Sequence, residues 1–266
     1  MRSVGLGADL VVPLSLVLDS RGIYYDASRP SDLEVLLETA ELPDDLIGRA
    51  IRLRLRLVAL KLSKYNVGHS QRLDLPAGRR IILVPGQVET DASIRCGSPQ
   101  LKTNAQLLAA VRAANPDAFL VYKPHPDVLA GGRQGSLGGD APLFDLEVRD
   151  LAMPELLEQV DEVHTLTSLT GFEALLRGLK VVTYGMPFYA GWGLTRDRLR
   201  CARRTRFRSL DELVAATLIL YPVYVDPHSG DTVNAETAVE LLVRTLQRGY
   251  RRSWKGRLYN MIRRPC

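Results

Sequence analysis

Cysteine and histidine are scarce in this sequence, with three and four residues among 266. The cysteines, Cys96, Cys201 and Cys266, are far apart and form no CxxC pair. An odd number of isolated cysteines argues against both a disulfide framework and a thiolate zinc site. The scattered histidines argue against a histidine cluster, so we expect no bound metal.

Long apolar runs are also missing, since none approaches the ~20 residues that a membrane-spanning helix needs. Residues 1–22 lack the basic, apolar and small-residue order of a signal peptide, so we expect a cytoplasmic protein. Lys and Arg exceed Asp and Glu by 35 to 30, and basic residues collect at 49–56 and 244–264. These clusters are either solvated helix faces or surfaces that attract phosphate or anionic lipid.

Strand and helix patterns alternate along the middle of the chain. The predicted elements are strand 80–85, helix 100–114, strand 118–122, helix 154–160, strand 163–166, helix 168–177 and strand 180–184. This alternation predicts an α/β fold with a parallel, Rossmann-like sheet flanked by helices. Around it we predict two short strands within 10–26, helices opened by capping boxes at Ser31 and Ser209, a helix at 43–64, a glycine-rich loop at 126–142 and a closing helix at 234–248.

Polar or glycine-rich segments follow four of the predicted strands, and they run GQVETD, KPHPD, TSLTG and GMPFYAGWG. Ligands of open parallel sheets bind at the carboxyl ends of the strands, so we expect these segments to line one crevice. The last segment places Phe188, Tyr189 and Trp192 among glycines in a chain with only 6% aromatic residues. We interpret these side chains as a wall facing the sugar or the acceptor, with packing between domains as the alternative.

Glu89 and Asp91 follow the first of these strands. On an extended segment, residues two apart point the same way. Paired carboxylates in a crevice can divide acid, base and nucleophile roles, because each raises the pKa of the other. The alternative is a loop-capping aspartate and a surface glutamate.

The next segments carry groups that suit a phosphate. Lys123 and His125 lie together in a loop restricted by prolines, an arrangement that suits a phosphate leaving group. Ser168 is predicted to cap a helix whose free N–H groups and dipole favour an anion, and Thr167 adds a hydroxyl. Glu173 lies within that helix and needs a partner, which is either a ribose diol or an arginine.

These groups together indicate a nucleotide-linked donor. The sequence has no GxGxxG and no GxxxxGK[ST], which disfavours dinucleotide and P-loop sites, and it has no DxD-type metal pair. The pattern fits a GT-B-like glycosyltransferase, in which helix dipoles and basic side chains replace a metal at the phosphate.

Longer segments resemble the capsule polysaccharide β-Kdo transferases, the KpsC-type proteins. They cover most of residues 2–230 and include RSVGLGADLVVPLSLVLDSRGIYYDASRPSDLE, SKYNVG, LVPGQVETDASI, KPHPDV, TSLTGFEALLRG, PFYAGWGLTRDR and SLDELVAATLILYPVYVDPHSG. Many members contain two tandem modules, and GQVETD is more similar to the second. Family modules carry an acidic EDGF before RSVGLG, whereas this chain begins MRSVGLG.

The resemblance implies a GT-B-like fold whose N-terminal Rossmann-like domain is incomplete. The implied division is an acceptor-side remainder at 1–75, a donor domain at 76–205, and closing helices with a basic tail at 206–266. It implies retaining transfer of β-Kdo from CMP-Kdo, without a cofactor, to build a poly-Kdo linker on a glycolipid of the phosphatidylglycerol type. The alternatives are another CMP-sugar transferase, similar to sialyltransferases, and a non-catalytic truncated module.

The resemblance also implies roles for single residues. Asp91 would be the catalytic carboxylate, acting as nucleophile in a double displacement, and Glu89 would assist as acid/base or by contacting the acceptor. His125 would bind the CMP phosphate, while Ser168 and Glu173 would hold the cytidylate. The expected donor site is completed by Lys123, Thr167 and Gly171.

The end of the chain suggests a membrane partner. Trp254, Leu258 and Ile262 recur every four residues among arginines and lysines, which is typical of a basic amphipathic helix on an anionic inner membrane. A solvated terminal helix is the alternative. Other expected partners are a further transferase module and the capsule export machinery. We expect no nucleic-acid partner, because no reader motif is present.

Overall fold

The computed structural model describes residues 14–64, 69–129 and 143–247. The basic tail, with Trp254, Leu258 and Ile262, and most of the predicted glycine-rich loop lie outside the described residues. Contacts within the chain define two compact units, one of Asp19–Ala216 and one of Met1–Leu18 with Thr217–Cys266. The predicted domain boundaries near 75 and 205 both fall inside the larger unit, and they stay a prediction.

The described elements alternate as the sequence pattern indicates. In chain order they are β1 (Ser15–Leu16), α1 (Asp32–Thr39), α2 (Asp44–Ala59), β2 (Ile81–Pro85), α3 (Ala92–Gly97), α4 (Asn104–Ala114), β3 (Phe119–Lys123), α5 (Pro126–Leu129), β4 (Leu146–Glu147), α6 (Met153–Leu157), β5 (Glu162–Thr165), α7 (Leu169–Leu176), β6 (Lys180–Thr183), β7 (Arg196–Asp197), α8 (Leu210–Val214), β8 (Val223–Val225), β9 (Thr232–Val233) and α9 (Ala235–Gln247). A π-helical segment, Ala215–Leu220, continues α8.

Six strands of the larger unit form one sheet in the order β4-β3-β2-β5-β6-β7, and all neighbours are parallel. The predicted α/β class with a parallel sheet is therefore confirmed. From β2 the later strands β3 and β4 are added on one side, and from β5 the strands β6 and β7 are added on the other side. The direction in which the sheet grows therefore reverses between β2 and β5. In open parallel sheets this switch point is where ligands bind, outside the carboxyl ends of the strands.

The core of this sheet explains why its strands are apolar runs. All five residues of β2 are buried, since the strand has neighbours on both sides and helices across its faces. The apolar side chains of α3 and α4 pack on one face with β2, β3 and β6, and include Ile94, Leu107, Leu108 and Val111. Helix α4 begins later than predicted, because Thr103 and Gln106 form a complete capping box there.

Several short elements escaped the sequence pattern. Strands β4 and β7 have two residues each, which is too short for a periodic signal. Of the two strands expected within residues 10–26, the described part contains only Ser15–Leu16. The Asp19 carboxylate instead organises a turn by accepting N–H groups from Arg21, Gly22 and Asp32.

The smaller unit has its own short antiparallel sheet. Strand β8 lies between β1 and β9, with Ser15 opposite Tyr224 and Val233 on the other side of Tyr224. The Tyr224 hydroxyl donates to the Leu218 carbonyl at 2.7 Å, and this bond ties the strand to the π-helical segment. Within the described ranges of both units, no helix combines the length and the apolar character needed to cross a membrane.

Candidate active site

A buried amide joins the two strands at the switch point. Gln87, which is 7% exposed, follows β2, and its Oε1 accepts the backbone N–H of Thr167 at 3.0 Å. Its Nε2 donates to the Thr167 hydroxyl at 3.0 Å, and its Oε1 also accepts the Thr165 hydroxyl at 3.3 Å. The segments after β2 and β5 are therefore held together directly, as predicted for a shared crevice.

The same amide is anchored to helix α4. The backbone N–H of Gln87 donates to Asn104 Oδ1 at 2.9 Å, and Asn104 Nδ2 donates back to the Gln87 carbonyl at 2.9 Å. Asn104 is 2% exposed. Sequence reasoning missed both residues, because nothing in the local pattern separates a clamping amide from a solvated one.

The side chains of Glu89 and Asp91, the two carboxylates after β2, do not point the same way. The Asp91 N–H donates to the Val88 carbonyl at 3.0 Å, which closes a turn rather than an extended segment. Glu89 Oε1 accepts the Asn104 N–H at 2.8 Å, whereas Asp91 Oδ1 accepts the Ser93 N–H at 3.0 Å and caps α3. The expectation that both side chains point the same way is wrong, since each carboxylate binds the start of a different helix.

Lys123 does not face the predicted phosphate position. Its side chain is buried, and its Nζ donates to the Arg149 carbonyl at 3.0 Å. Arg149 follows β4, which lies on the side of β3 away from β5 and α7. Burial lowers the pKa of the Lys123 ammonium, and the charge of Asp150 opposes this shift. The hydrogen bond gives no support to a phosphate contact by Lys123.

His125 lies closer to the crevice, beside the end of β2. A Cβ on Gly86 would lie 3.2 Å from the His125 backbone nitrogen, so the absent side chain lets the two strand ends approach. The His125 Nδ1 accepts the Asp127 N–H at 3.2 Å. The neutral ring therefore carries its proton on Nε2, which makes that nitrogen a hydrogen-bond donor.

The start of α7 has the predicted cap. Ser168 Oγ accepts the Thr170 N–H at 3.2 Å, and the Ser168 N–H donates to Thr165 Oγ1 at 3.2 Å. Gly171 has a packing role, because a Cβ there would lie 2.2 Å from the Tyr189 hydroxyl oxygen. The structure thus explains Gly171 by the neighbouring ring rather than by a donor contact.

Glu173 is buried inside α7, and only half of its carboxylate is satisfied. Its Oε1 accepts the Lys64 backbone N–H at 2.8 Å, while its Oε2 has no hydrogen-bond partner among the described residues. Arg177 binds the Glu173 carbonyl rather than the carboxylate. Burial raises the pKa of Glu173, opposed by the Lys64 hydrogen bond. Within the ranges that the structure describes, the alternative of an arginine partner for the carboxylate is therefore not realised, and Oε2 could accept a ligand hydroxyl.

Tyr24 brings a further polar group to this region, which sequence reasoning also missed. Burial raises the pKa of its hydroxyl, the charge of Lys64 lowers it, and the charge of Asp91 raises it. The hydroxyl therefore lies within electrostatic reach of both charged groups. The Tyr24 ring packs edge-on against Phe188, with 5.8 Å between the ring centroids.

The aromatic segment after β6 forms a buried support rather than a wall. Tyr189 and Trp192 have no exposed surface, and Phe188 is 8% exposed. Trp192 Nε1 donates to the Phe188 carbonyl at 2.8 Å, and Arg204 Nη1 donates to the Pro187 and Ala190 carbonyls at 2.7 Å each. The prediction that these rings face a sugar is wrong for this conformation, because packing and hydrogen bonds enclose them.

Two surface cavities lie away from the strand ends. One of about 480 Å³ lies between residues 70–75 and α6, and another of about 460 Å³ lies beside residues 78–80 and 114–118. We place the candidate site at the switch point instead, because Gln87 joins the polar segments after β2 and β5 there and the backbone of His125 lies beside the end of β2. No group of three or more His, Cys, Asp or Glu side chains within the described ranges could hold a metal ion.

Comparison with known protein families gives a match over about two thirds of the chain. Residues 45–224 match the family described as capsule polysaccharide biosynthesis protein, and this range contains the whole parallel sheet and the candidate site. The chain belongs to this family.

Relatives of this chain include longer proteins. The capsule polysaccharide modification protein LipA of Neisseria meningitidis is 50% identical over 246 residues, covering 92% of this chain and 35% of LipA. The lipopolysaccharide-processing protein LpsZ of Rhizobium meliloti is 47% identical, covering 90% of this chain and 56% of LpsZ. The chain therefore spans about a third of LipA and just over half of LpsZ.

Two solved structures of Thermosulfurimonas dismutans KpsC are also similar to this family member. The β-Kdo 2,7 transferase is 44% identical with a TM-score of 0.74, covering 88% of this chain and 74% of that one. The β-Kdo 2,4 transferase is 39% identical with a TM-score of 0.82, covering 91% of this chain and 77% of that one. The α/β fold is thus shared with these transferases over most of the chain. Together with the family match, these structures confirm the resemblance to KpsC-type proteins inferred from the sequence segments.

Proposed function

We propose that this chain is a retaining β-Kdo transferase module that uses CMP-Kdo to extend a poly-Kdo linker on a lipid anchor. The observation that carries the proposal is the match to two Kdo transferases over about nine tenths of the chain. The carboxyl ends of β2, β3 and β5 meet within the matched region, and they bring Asp91, His125 and Thr167 to one edge of the sheet.

The CMP phosphate would lie against the start of α7. The helix dipole and the Thr167 hydroxyl favour an anion there, and the Nε2 proton of His125 can donate to a phosphate oxygen. A ribose hydroxyl of the cytidylate would donate to Glu173 Oε2, which is buried and unpartnered within the described ranges. That contact would offset the cost of leaving a carboxylate oxygen buried without a hydrogen bond.

Asp91 would act as the nucleophile. One of its oxygens is held by the Ser93 N–H, which fixes the orientation of the carboxylate. Attack on the anomeric carbon would break its bond to the phosphate oxygen, release CMP and leave the sugar esterified to Asp91. An acceptor hydroxyl would then displace Asp91 and lose its proton to a base, and two displacements give net retention. Glu89 would assist as that base or by contacting the acceptor.

The acceptor and the location follow from the proposed reaction. A lipid-linked acceptor would place the protein on the cytoplasmic face of an anionic inner membrane. A further transferase module and the capsule export machinery are the proposed protein partners.

The test is Kdo transfer from CMP-Kdo, generated in situ, to a synthetic Kdo-primed lipid. We would compare the chain with Asp91→Asn and Glu89→Gln, and with Asp74→Asn, which changes an exposed aspartate outside the site. We expect product from the chain and from Asp74→Asn, and none from Asp91→Asn. Mass spectrometry of a trapped glycosyl–Asp91 ester would support the double displacement.

Four results would change the proposal. Full activity of Asp91→Asn would exclude this residue as nucleophile. Product with CMP-sialic acid in place of CMP-Kdo would favour the alternative CMP-sugar transferase. Product only from a version extended upstream through the acidic EDGF motif would assign the activity to a longer protein, and no product from either version would favour a non-catalytic module.

A further inference from the structure

Gln87 lies where the strand order of the sheet reverses, and it contacts both sides of that point. Gln87 follows β2 in the chain. It binds Thr165, the last residue of β5, and Thr167, which follows β5. We propose that Gln87 is a positioning residue: it orients the Thr167 hydroxyl so that this hydroxyl donates a hydrogen bond to the phosphate of the nucleotide sugar. The role rests on the proposed function, because it concerns the same phosphate position.

The hydrogen bonds of the amide determine their own direction. A backbone N–H can only donate, so the atom of Gln87 that binds the Thr167 N–H must be the carbonyl oxygen. The other atom is therefore the NH₂ group, and it donates to Thr167 Oγ1 at 3.0 Å. Because Thr167 Oγ1 accepts from Gln87, its own proton is directed to a different acceptor. The phosphate of a nucleotide is an acceptor of the required kind.

Gln87 also links the proposed phosphate position to the turn after β2 that carries Glu89 and Asp91. Its backbone is paired twice with the Asn104 side chain, and the Asn104 N–H donates to Glu89 Oε1. The segment after β5 and the turn after β2 are thus joined by one continuous network of hydrogen bonds. Such a connected network of hydrogen bonds holds its members in one geometry.

An independent feature of α7 supports the proposal of a ligand near this network. Glu173, within the helix that Thr167 and Ser168 precede, is 7% exposed and leaves Oε2 without a partner among the described residues. A buried carboxylate oxygen without a hydrogen bond is rare in folded proteins. Gln87 and Glu173 would therefore serve the two ends of one cytidylate, the phosphate and the ribose.

Gln87→Glu tests this role with almost no change of shape. The second carboxylate oxygen would replace the NH₂ group, so the Thr167 hydroxyl would have to donate to it and would no longer be available to a phosphate. The new charge would also repel the phosphate. We expect the Kd for CMP, measured by calorimetry, to rise about tenfold or more at pH 7.5. Thr167→Val should give a similar loss of CMP affinity. The double variant should bind CMP no more weakly than whichever single variant has the higher Kd.

The pH dependence of Gln87→Glu separates positioning from damage to the fold. Once protonated, the introduced carboxyl group would again donate to Thr167 Oγ1, so CMP affinity relative to wild type should recover as the pH falls. A merely structural defect would not recover. Gln159→Glu is the matched control, because Gln159 also bridges backbone segments, through the Leu73 N–H and the Gln71 carbonyl, outside the site. We expect it to lower the melting temperature without changing the Kd for CMP.

Each outcome decides between the two proposals. Wild-type affinity of Gln87→Glu, or strictly additive losses in the double variant, would overturn the role of Gln87 and leave the transferase intact. CMP binding that depends on Gln87 without Kdo transfer would overturn the transferase and leave the role of Gln87. Absence of CMP binding by the wild-type chain would overturn both. In the transfer assay, the loss should appear chiefly in KM for the donor rather than in kcat.

Discussion

The Tyr189 hydroxyl donates a 2.5 Å hydrogen bond to the carbonyl of Ser168, the residue that caps α7. The Tyr189 ring is fully buried, and it occupies the space that Gly171 leaves on the first turn of that helix. The aromatic segment after β6 therefore supports the start of α7, which makes it part of the frame of the candidate site.

Gly171→Ala should destabilise the protein because of this contact. A Cβ would lie 2.2 Å from the Tyr189 hydroxyl oxygen and 2.7 Å from Cζ, so a buried ring would have to shift. We expect a loss of about 1–3 kcal/mol in the free energy of unfolding, measured with denaturant.

The matched control is the same substitution in α2. A Cβ on Gly48 would meet only the flexible end of Arg52, at 3.5 Å. Gly48→Ala should therefore stabilise the protein by about 0.5–1 kcal/mol, since alanine loses less conformational freedom in a helix. Equal effects of the two substitutions would contradict the proposed packing of Tyr189.

Arg204 should contribute far more to stability than its neighbour Arg203, although both bind Glu34. The Arg204 side chain is 3% exposed, and it also binds the Pro187 and Ala190 carbonyls. Arg204→Met would leave a buried carboxylate and two carbonyls short of partners, so we expect a loss of about 3–5 kcal/mol in denaturant unfolding.

Arg203→Met is the control for this pair. The Arg203 side chain is 38% exposed, so its bond to Glu34 competes with water, and we expect a loss of about 0–1 kcal/mol. Similar losses for both variants would show that the buried bonds of Arg204 to the loop carbonyls carry little energy.

Glu173→Gln should raise the stability of the protein by an amount that depends on pH, and it should weaken ligand binding. Burial raises the pKa of Glu173 above its ordinary value of 4.5, so the folded state disfavours the ionised form. The wild-type chain therefore loses stability, relative to the variant, as the pH rises from about 4.5 through the folded-state pKa. We expect the difference in melting temperature, variant minus wild type, to increase from pH 4.5 to pH 8.

The same variant should bind CMP more weakly, because its amide replaces the acceptor oxygen expected to hold the ribose. A difference in melting temperature that is constant with pH would show that folding does not raise the pKa of Glu173. Unchanged CMP affinity would remove the ribose contact from the proposed site.

His164 should make the fold sensitive to acid. The ring is buried on β5, 3.2 Å from the Glu162 carboxylate and 3.4 Å from the Tyr184 hydroxyl. Burial lowers the pKa of His164 below 6.5, opposed by Glu162, with Arg80 and Arg198 adding to the decrease. The unfolded chain binds the proton more readily, so stability present above about pH 6.5 is lost as the pH falls below that value.

The measurement is the melting temperature of wild type and His164→Gln between pH 7.5 and 5. The glutamine can still donate to Glu162 but does not titrate, so its melting temperature should fall less steeply over this range. Parallel curves would assign the acid sensitivity to other groups.

Much of the fold could be predicted because its signals are local. The buried parallel strands are short apolar runs, and the helix starts at Ser31, Ser168 and Ser209 are each formed by a side chain and a backbone N–H two or three residues away. Even there, the pattern was incomplete. Ser31 caps α1, but Glu34 turns away from the predicted capping box and pairs with Arg203 and Arg204.

The roles of the site residues were less predictable. The edge of the sheet that carries the polar segments followed from the strand alternation, because parallel strands share one carboxyl edge. The orientation of Glu89 and Asp91 did not, since a turn closed at Val88 sends their side chains to different helices. Lys123 was expected at a phosphate, but its ammonium donates to the carbonyl of Arg149, which follows β4 on the side of β3 away from β2.

The sequence by itself determined the parallel α/β layer, the edge of the sheet that carries the polar segments, and the family. Only the tertiary structure decided which side chains meet there: Gln87 binds Thr167 across 80 residues, Glu173 binds the Lys64 backbone across 109, and Arg204 binds Glu34 across 170. Helix caps and apolar periodicity arise from neighbours along the chain. Pairs this distant form only when separate elements pack, and no local pattern specifies them.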